Sequence, residues 1–151
     1  MGLDHGIALT YTIRMAQLES GLVALASARP DLAAHQRVVR MDGRQVVRQL
    51  VDLLGARLVA YLGGVSETRA VREWLEGKRE MRADAHARLS EALTVALTIA
   101  SREEPRTVQA WFQGLNPQLD DRSPARMLRD GKLEEVGPEV RQAARAFVVG
   151  G

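Results

Sequence analysis

Catalysis needs reactive side chains at workable spacings, and this sequence offers few. Its three histidines, His5, His35 and His86, are far apart, and no HxxxH pair sets two imidazoles on one helical face. Asp84 and His86 are two residues apart and would point to different sides of a helix. The adjacent acidic pairs Glu103-Glu104 and Asp120-Asp121 read better as solvated helix caps than as acid–base couples. Ser66 and Ser123 have no visible histidine partner to take a hydroxyl proton. Gly63-Gly64 lacks the spaced glycines and the lysine of a phosphate-binding loop. There is no cysteine, which removes disulfides, thiolate metal sites and cysteine nucleophiles. The expectation is a binding protein and not an enzyme, with no cofactor and no metal.

Binding chemistry is better represented. Of the 21 basic residues all but Lys78 and Lys132 are arginines, whose planar forks suit carboxylate, phosphate or guanine. Bulk charge does not select among these. Net charge is +2. The excess lies in residues 1–48, while 49–101 and 102–151 each balance. Nucleic-acid binding must therefore come from spatial arrangement. An apolar share of 46% with 26% charged residues is a globular balance. No apolar run approaches the ~20 residues that span a bilayer. The first residues lack the basic start and long apolar centre of a secretion signal. A soluble, cytoplasmic protein is expected.

The segment LLGARLVAYLGGVSETRAVREWLEGKRE carries the main binding signal. Two helices that cross closely need a small residue, here Ala60, and a glycine-tolerant turn, here Gly63-Gly64-Val65. Val71 and Trp74 would anchor the second helix, and Ser66 would cap it. Its outer face would then carry Thr68, Arg69 and Arg72, followed by a basic loop with Lys78, Arg79 and Arg82. These seven, Ser66 included, are the candidate DNA contacts. Arg69 and Arg72 could read guanine edges or hold phosphate, while Ser66 and Thr68 suit the backbone.

The elements that must position these groups are helical. Val47, Leu50, Val51, Leu54, Leu58 and Leu62 lie on one helical stripe that Gly63-Gly64 interrupts. A second stripe of Leu89, Leu93, Ala96 and Leu97 predicts a long helix. Pro105 opens a helix with Val108, Trp111, Phe112 and Leu115 on its apolar face, ended by Asn116-Pro117. Ser123-Pro124 caps a short helix that stops at Gly131, and a last helix is expected from Pro138. Residues 1–45 admit two readings. Ile7, Leu9, Tyr11, Ile13 and Met15 alternate like a strand, giving an extended arm before a helix. Alternatively one helix covers about residues 8–28, which the Ala, Leu, Gln and Glu content from Met15 onward favours.

The central segment resembles an Xre-type helix-turn-helix. The common spacing from the turn serine to the apolar anchor is four and to the tryptophan seven, whereas Ser66 precedes Val71 by five and Trp74 by eight. One extra residue lies in the turn or the first helical turn. Behind it, Trp111-Phe112, Leu115-Asn116-Pro117, Leu119, Ser123-Pro124-Ala125, Met127-Leu128 and Asp130-Gly131 form a series. The series resembles the toxin-binding domain of Xre/MbcA/ParS-like type II antitoxins. The resemblance covers roughly residues 50–151. It implies an all-α fold with a helix-turn-helix domain at 46–101 and a small helical toxin-binding domain at 102–151. Residues 1–45 are left without an assigned role. It also implies a RES-domain toxin that consumes NAD or transfers ADP-ribose. The antitoxin would block the toxin's active site and repress its own operon as a homodimer on operator double-stranded DNA. Recognition helices would then stand ~34–36 Å apart.

Asn116, Leu119, Arg145, Phe147, Val148, Val149, Gly150 and Gly151 are the candidate toxin contacts. Phe147-Val148-Val149 places three apolar side chains in the final stretch, which invites a partner. The bland alternative for Trp111, Phe112, Leu115, Leu119 and Leu128 is closure of a small core. The alternative for the whole chain is a stand-alone regulator whose C-terminal module dimerises.

Overall fold

A computed structural model of the chain describes residues 3–150, with side chains described over 8–21 and 29–150. Among the described residues every regular element is a helix and no strand occurs, as the all-α expectation required. The helices are α1 (Leu3–Ala28), α2 (Pro30–Val39), α3 (Gly43–Leu54), α4 (Ala56–Gly63), α5 (Thr68–Glu76), α6 (Ala83–Ala100), α7 (Pro105–Gln113), α8 (Pro124–Asp130) and α9 (Leu133–Gly150). A 3-10 turn at Pro117–Leu119 joins α7 to α8. The chain divides into two compact units, Met1–Pro30 and Asp31–Gly151.

The first unit is α1 alone. The helix runs through the alternating segment, so the strand-like pattern makes no extended arm. Leu9, Tyr11, Ile13, Met15 and Leu18 are all exposed on it.

The second unit is built on α6. Its Leu89, Ala92, Leu93, Val95, Ala96 and Ile99 are buried, with α3 and α9 as its most extensive neighbours. Thr98 sits among them and satisfies its hydroxyl by donating to the Thr94 carbonyl at 2.8 Å. Helix α3 starts with a reciprocal cap. The Gln45 amide donates to Asp42 Oδ1 at 2.8 Å, and the Asp42 amide donates to Gln45 Oε1 at 2.9 Å. Its buried stripe is Val46, Val47, Leu50 and Leu54.

The single stripe expected from Val47 to Leu62 is split at Gly55, where φ is +81°. Only a residue without Cβ adopts that conformation cheaply, and α4 leaves in a new direction from it. The last helix begins at Leu133, five residues before Pro138. A mid-helix proline removes one amide and frees the carbonyl four residues back, here Glu134. Both residues are exposed, where solvent can take up that carbonyl, and Val136 packed at Gly131 holds the first turn.

The segments 46–101 and 102–151 share one core. Val108, Phe112, Leu128 and Val140 are fully buried together with Leu50, Leu62 and Leu93. Helix α7 packs on α3, and α8 packs on α4.

Candidate functional site

The turn between α4 and α5 is set by two glycines with different tasks. Gly64 has φ +74° and ends α4 in the left-handed conformation, and the Val65 amide reaches back to the Ala60 carbonyl at 3.0 Å. Gly63 is buried under α5. A Cβ there would stand 2.8 Å from Trp74 Cη2. Ala60 is buried as expected, but Gly63 is where the indole rests on the backbone. Arg88 reaches over from α6 and donates to the Leu62 and Gly63 carbonyls, both at 3.1 Å. Those carbonyls belong to the last turn of α4, which has no partner inside the helix. Asp84 holds Arg88 at 3.5 Å. Burial works against the Asp84 charge, but Arg82, the Ala85 amide and Arg88 together keep its carboxyl below the ordinary 3.8.

Helix α5 starts at Thr68, so its cap is Glu67 and not Ser66. Counted from Glu67, Val71 lies four residues on and Trp74 seven. Ala70, Val71 and Trp74 are buried, while Ser66, Thr68, Arg69 and Arg72 are exposed. No side chain caps the helix; the Ala70 amide bonds the Glu67 carbonyl at 3.2 Å, which leaves the Thr68 and Arg69 amides open to an acceptor.

The basic candidates are mostly engaged at the surface. Arg69 Nε lies 2.9 Å from Glu73 Oε1, and Arg79 Nη1 lies 3.8 Å from Glu73 Oε2. Lys78 Nζ meets Glu76 Oε2 at 2.8 Å, which lowers the Glu76 carboxyl below its ordinary value. Arg82 Nε meets Asp84 Oδ1 at 3.3 Å. Arg72 makes no ion pair with a described residue. Exposed pairs of this kind are weak and exchange readily for another anion.

Two grooves flank the start of α5. One, of about 580 Å³, is lined by Ser66, Thr68 and Arg69 together with Arg57 and Arg129. The other, of about 460 Å³, is lined by Ser66, Arg69, Glu73 and Arg79. Arg72, Lys78 and Arg82 line neither. Arg57 and Arg129 were not among the sequence candidates. Arg129 comes from α8, more than fifty positions along the chain. Its guanidinium carbon lies 4.4 Å from the centre of the Tyr61 ring, and its Nη1 donates to the Tyr61 carbonyl at 3.2 Å. No local pattern announces such an arginine.

The second candidate surface surrounds the turns after α7. Asn116 Oδ1 accepts the Gln118 amide at 2.9 Å, and Asn116 bridges to Arg122 by an antiparallel backbone pair. Asp120 and Asp121 both have φ +55°, so the chain doubles back sharply. Leu119 is 3% exposed and fills the core, whereas Leu115 is 73% exposed beyond the end of α7. The expectation that Leu115 shares the buried face of that helix is thus corrected. Leu115, Arg122, Arg126, Met127, Gly131 and Val136 line a groove of about 460 Å³. In the last turns of α9, Val148 is 4% exposed and faces inward, while Phe147 and Val149 face outward. The Trp111 and Phe147 rings are 6.4 Å apart. Arg145 is half-buried and Gly150 exposed. Gly151 lies outside the described residues.

Among the described residues no cluster of histidine and carboxylate side chains has the make-up of a metal site, and no helix is long and apolar enough to cross a membrane. No family model, curated protein or solved structure matches this chain.

Proposed function

We propose that the chain is an antitoxin of a type II toxin–antitoxin system. On this reading α4, the glycine turn and α5 bind operator double-stranded DNA as a homodimer. The surface formed by Leu115, the turns after it and the outer side of α9 holds a RES-domain toxin and covers its active site. The chain acts by binding and catalyses nothing. The single observation that carries the reading is the uncapped, outward-facing start of α5. It borders a groove lined by Arg57, Arg69 and Arg129. Open amides and guanidinium groups suit phosphate, and the exposed Arg72 one turn along α5 is free to reach a base edge. For the partner surface, the support is Leu115, 73% exposed beside a groove although its spacing matches the buried Val108 and Phe112 of α7.

The test has two arms. Substituting Arg72 by alanine should weaken operator binding by ~1–3 kcal/mol if it reads a base, and substituting Arg129 should reduce the salt slope by about one charge if it holds phosphate. Unchanged binding in both variants overturns the DNA arm. Co-expression with the neighbouring open reading frame tests the other arm. Growth arrest by that frame alone, relieved by this chain and not by a Leu115→Asp variant, is expected. A harmless neighbour overturns the toxin arm and leaves a stand-alone regulator, whereas rescue by the variant overturns the placement of the toxin surface at Leu115.

A further inference from the structure

The positive excess in the first third of the sequence has a place in the fold that the candidate contacts above do not use. Residues 37–48 hold Arg37, Arg40, Arg44 and Arg48 against Asp42 alone, a surplus of +3 where the whole chain carries +2. All four arginines are exposed, and none makes an ion pair or a side-chain hydrogen bond with a described residue. The Asp42 carboxylate is taken up by the cap of α3. Around α5, by contrast, most basic groups are already paired, Arg69 and Arg79 with Glu73, Lys78 with Glu76 and Arg82 with Asp84.

Folding sets this stretch against the far end of α5, since α3 packs on α5. Arg44 lies at Gly77, which closes α5 with φ +70°, and a Cβ there would collide with the guanidinium. The start of α3 meets the loop after α5 as well: a Cβ at Gly43 would stand 3.8 Å from Met81 Cε. A cation at the C-terminal end of a helix ordinarily serves the last carbonyls. Here the Trp74 carbonyl accepts the Gly77 amide at 3.2 Å, and the Glu73 carbonyl accepts the Lys78 and Arg79 amides at 2.9 and 3.3 Å. The donors of Arg44 are left for something else. Arg48, four residues on, stands beside it on the outer face of α3, away from Val46, Val47 and Leu50.

We propose that Arg44 and Arg48 hold the phosphate backbone of double-stranded DNA, as a second grip beyond the end of α5. The grip rests on the reading of α5 as the helix that enters the major groove. Arg57 and Arg129 stand at the start of α5 and Arg44 at its end, and its nine residues set these ends ~13 Å apart. The major groove is ~12 Å wide. Arginines at the two ends are thus spaced to hold the two strands that wall one groove. Guanidinium groups without internal partners suit phosphate oxygens, which they take two at a time. Arg37 and Arg40 add to the positive field on the same stretch. A phosphate contact carries no base information, so this grip strengthens binding to any duplex.

The salt dependence of binding to a labelled duplex of random sequence, read by fluorescence anisotropy, is the experiment. Arg44→Gln/Arg48→Gln should lower the slope of log K against log salt by about 1.8, since each phosphate contact contributes ~0.9. Adding Arg129→Gln should lower it by a further ~0.9, because both ends of α5 hold one duplex. Arg106→Gln, at an exposed arginine of α7, should leave the slope unchanged. Melting temperatures of Arg44→Gln/Arg48→Gln and Arg106→Gln equal to native show that these exchanges leave the fold intact. A double variant that keeps the native slope while Arg72→Ala still weakens operator binding overturns the grip alone. An equal fall for Arg106→Gln makes the effect one of bulk charge and overturns it too. A lowered slope to which Arg129→Gln adds nothing overturns the arrangement across α5. A native chain that binds no duplex overturns the grip and the operator reading together. Loss of binding to phosphatidylserine vesicles in the double variant, with its duplex slope kept, gives this face to a lipid surface and overturns the grip.

Discussion

At the scale of single residues, the close approach of Gly63 to Trp74 decides how the two central helices sit. A methyl group at Gly63 would be pressed against the end of an indole that has no flexible tail to move aside. Gly63→Ala should cost ~1–3 kcal/mol in denaturant unfolding, the range for overpacking a filled site. Trp74→Ala should cost ~3–5 kcal/mol. In the Trp74→Ala background the Gly63 exchange should cost much less, because the clash has gone.

Glu91 gives a second residue-scale outcome. Burial raises its carboxyl above the ordinary 4.5, with Arg141 and then His35 pulling it back. Arg141 Nε is 2.9 Å from Glu91 Oε1, yet that oxygen has no aligned hydrogen bond. The folded state therefore holds the proton more tightly than the unfolded state. Stability from this group is greatest below pH 4.5 and declines as pH rises through the raised value. Thermal melts of Glu91→Gln and native protein should agree best in acid, with the variant gaining on the native chain towards neutrality. A constant difference across that range would contradict the raised value.

At the scale of elements, α4 is held at its end by a side chain from elsewhere. Arg88 satisfies two partly buried carbonyls of a last turn that has no partner for them inside the helix. Arg88→Met keeps the bulk and loses both bonds, and should cost ~1–3 kcal/mol. Hydrogen exchange of the α4 amides should accelerate more than that of the α9 amides. Elements whose signals are local were readable in the sequence: Pro105, Ser123-Pro124 and Gly131 mark helix ends where they were expected. Elements governed by tertiary packing were not. Gly55 divides a stripe whose periodicity continues across it, Pro138 is carried inside α9, and Leu115 falls outside a helix whose spacing it matches. The same division holds at the candidate site. Arg69 and Arg72 are legible from their helix, whereas Arg57 and Arg129 arrive by folding.

At the scale of the whole molecule, a continuous core predicts one unfolding event for Asp31–Gly151. Trp74 reports on α5 and Trp111 on α7, on opposite sides of the boundary between the two sequence segments. Single-tryptophan variants, Trp74→Phe and Trp111→Phe, should give coincident denaturant midpoints after correction for their own stability changes. Separate midpoints would mean that the segments fold apart. The short helix α8 is the place where this unity has an outward effect. Arg126 and Met127 on one of its sides border the groove beside Leu115, while Arg129 on another is stacked on Tyr61 beside the start of α5. Less than two turns of backbone separate these ends. A partner seated beside Leu115 would thus rest on the same short helix that carries Arg129, so the two surfaces share one rigid piece of backbone.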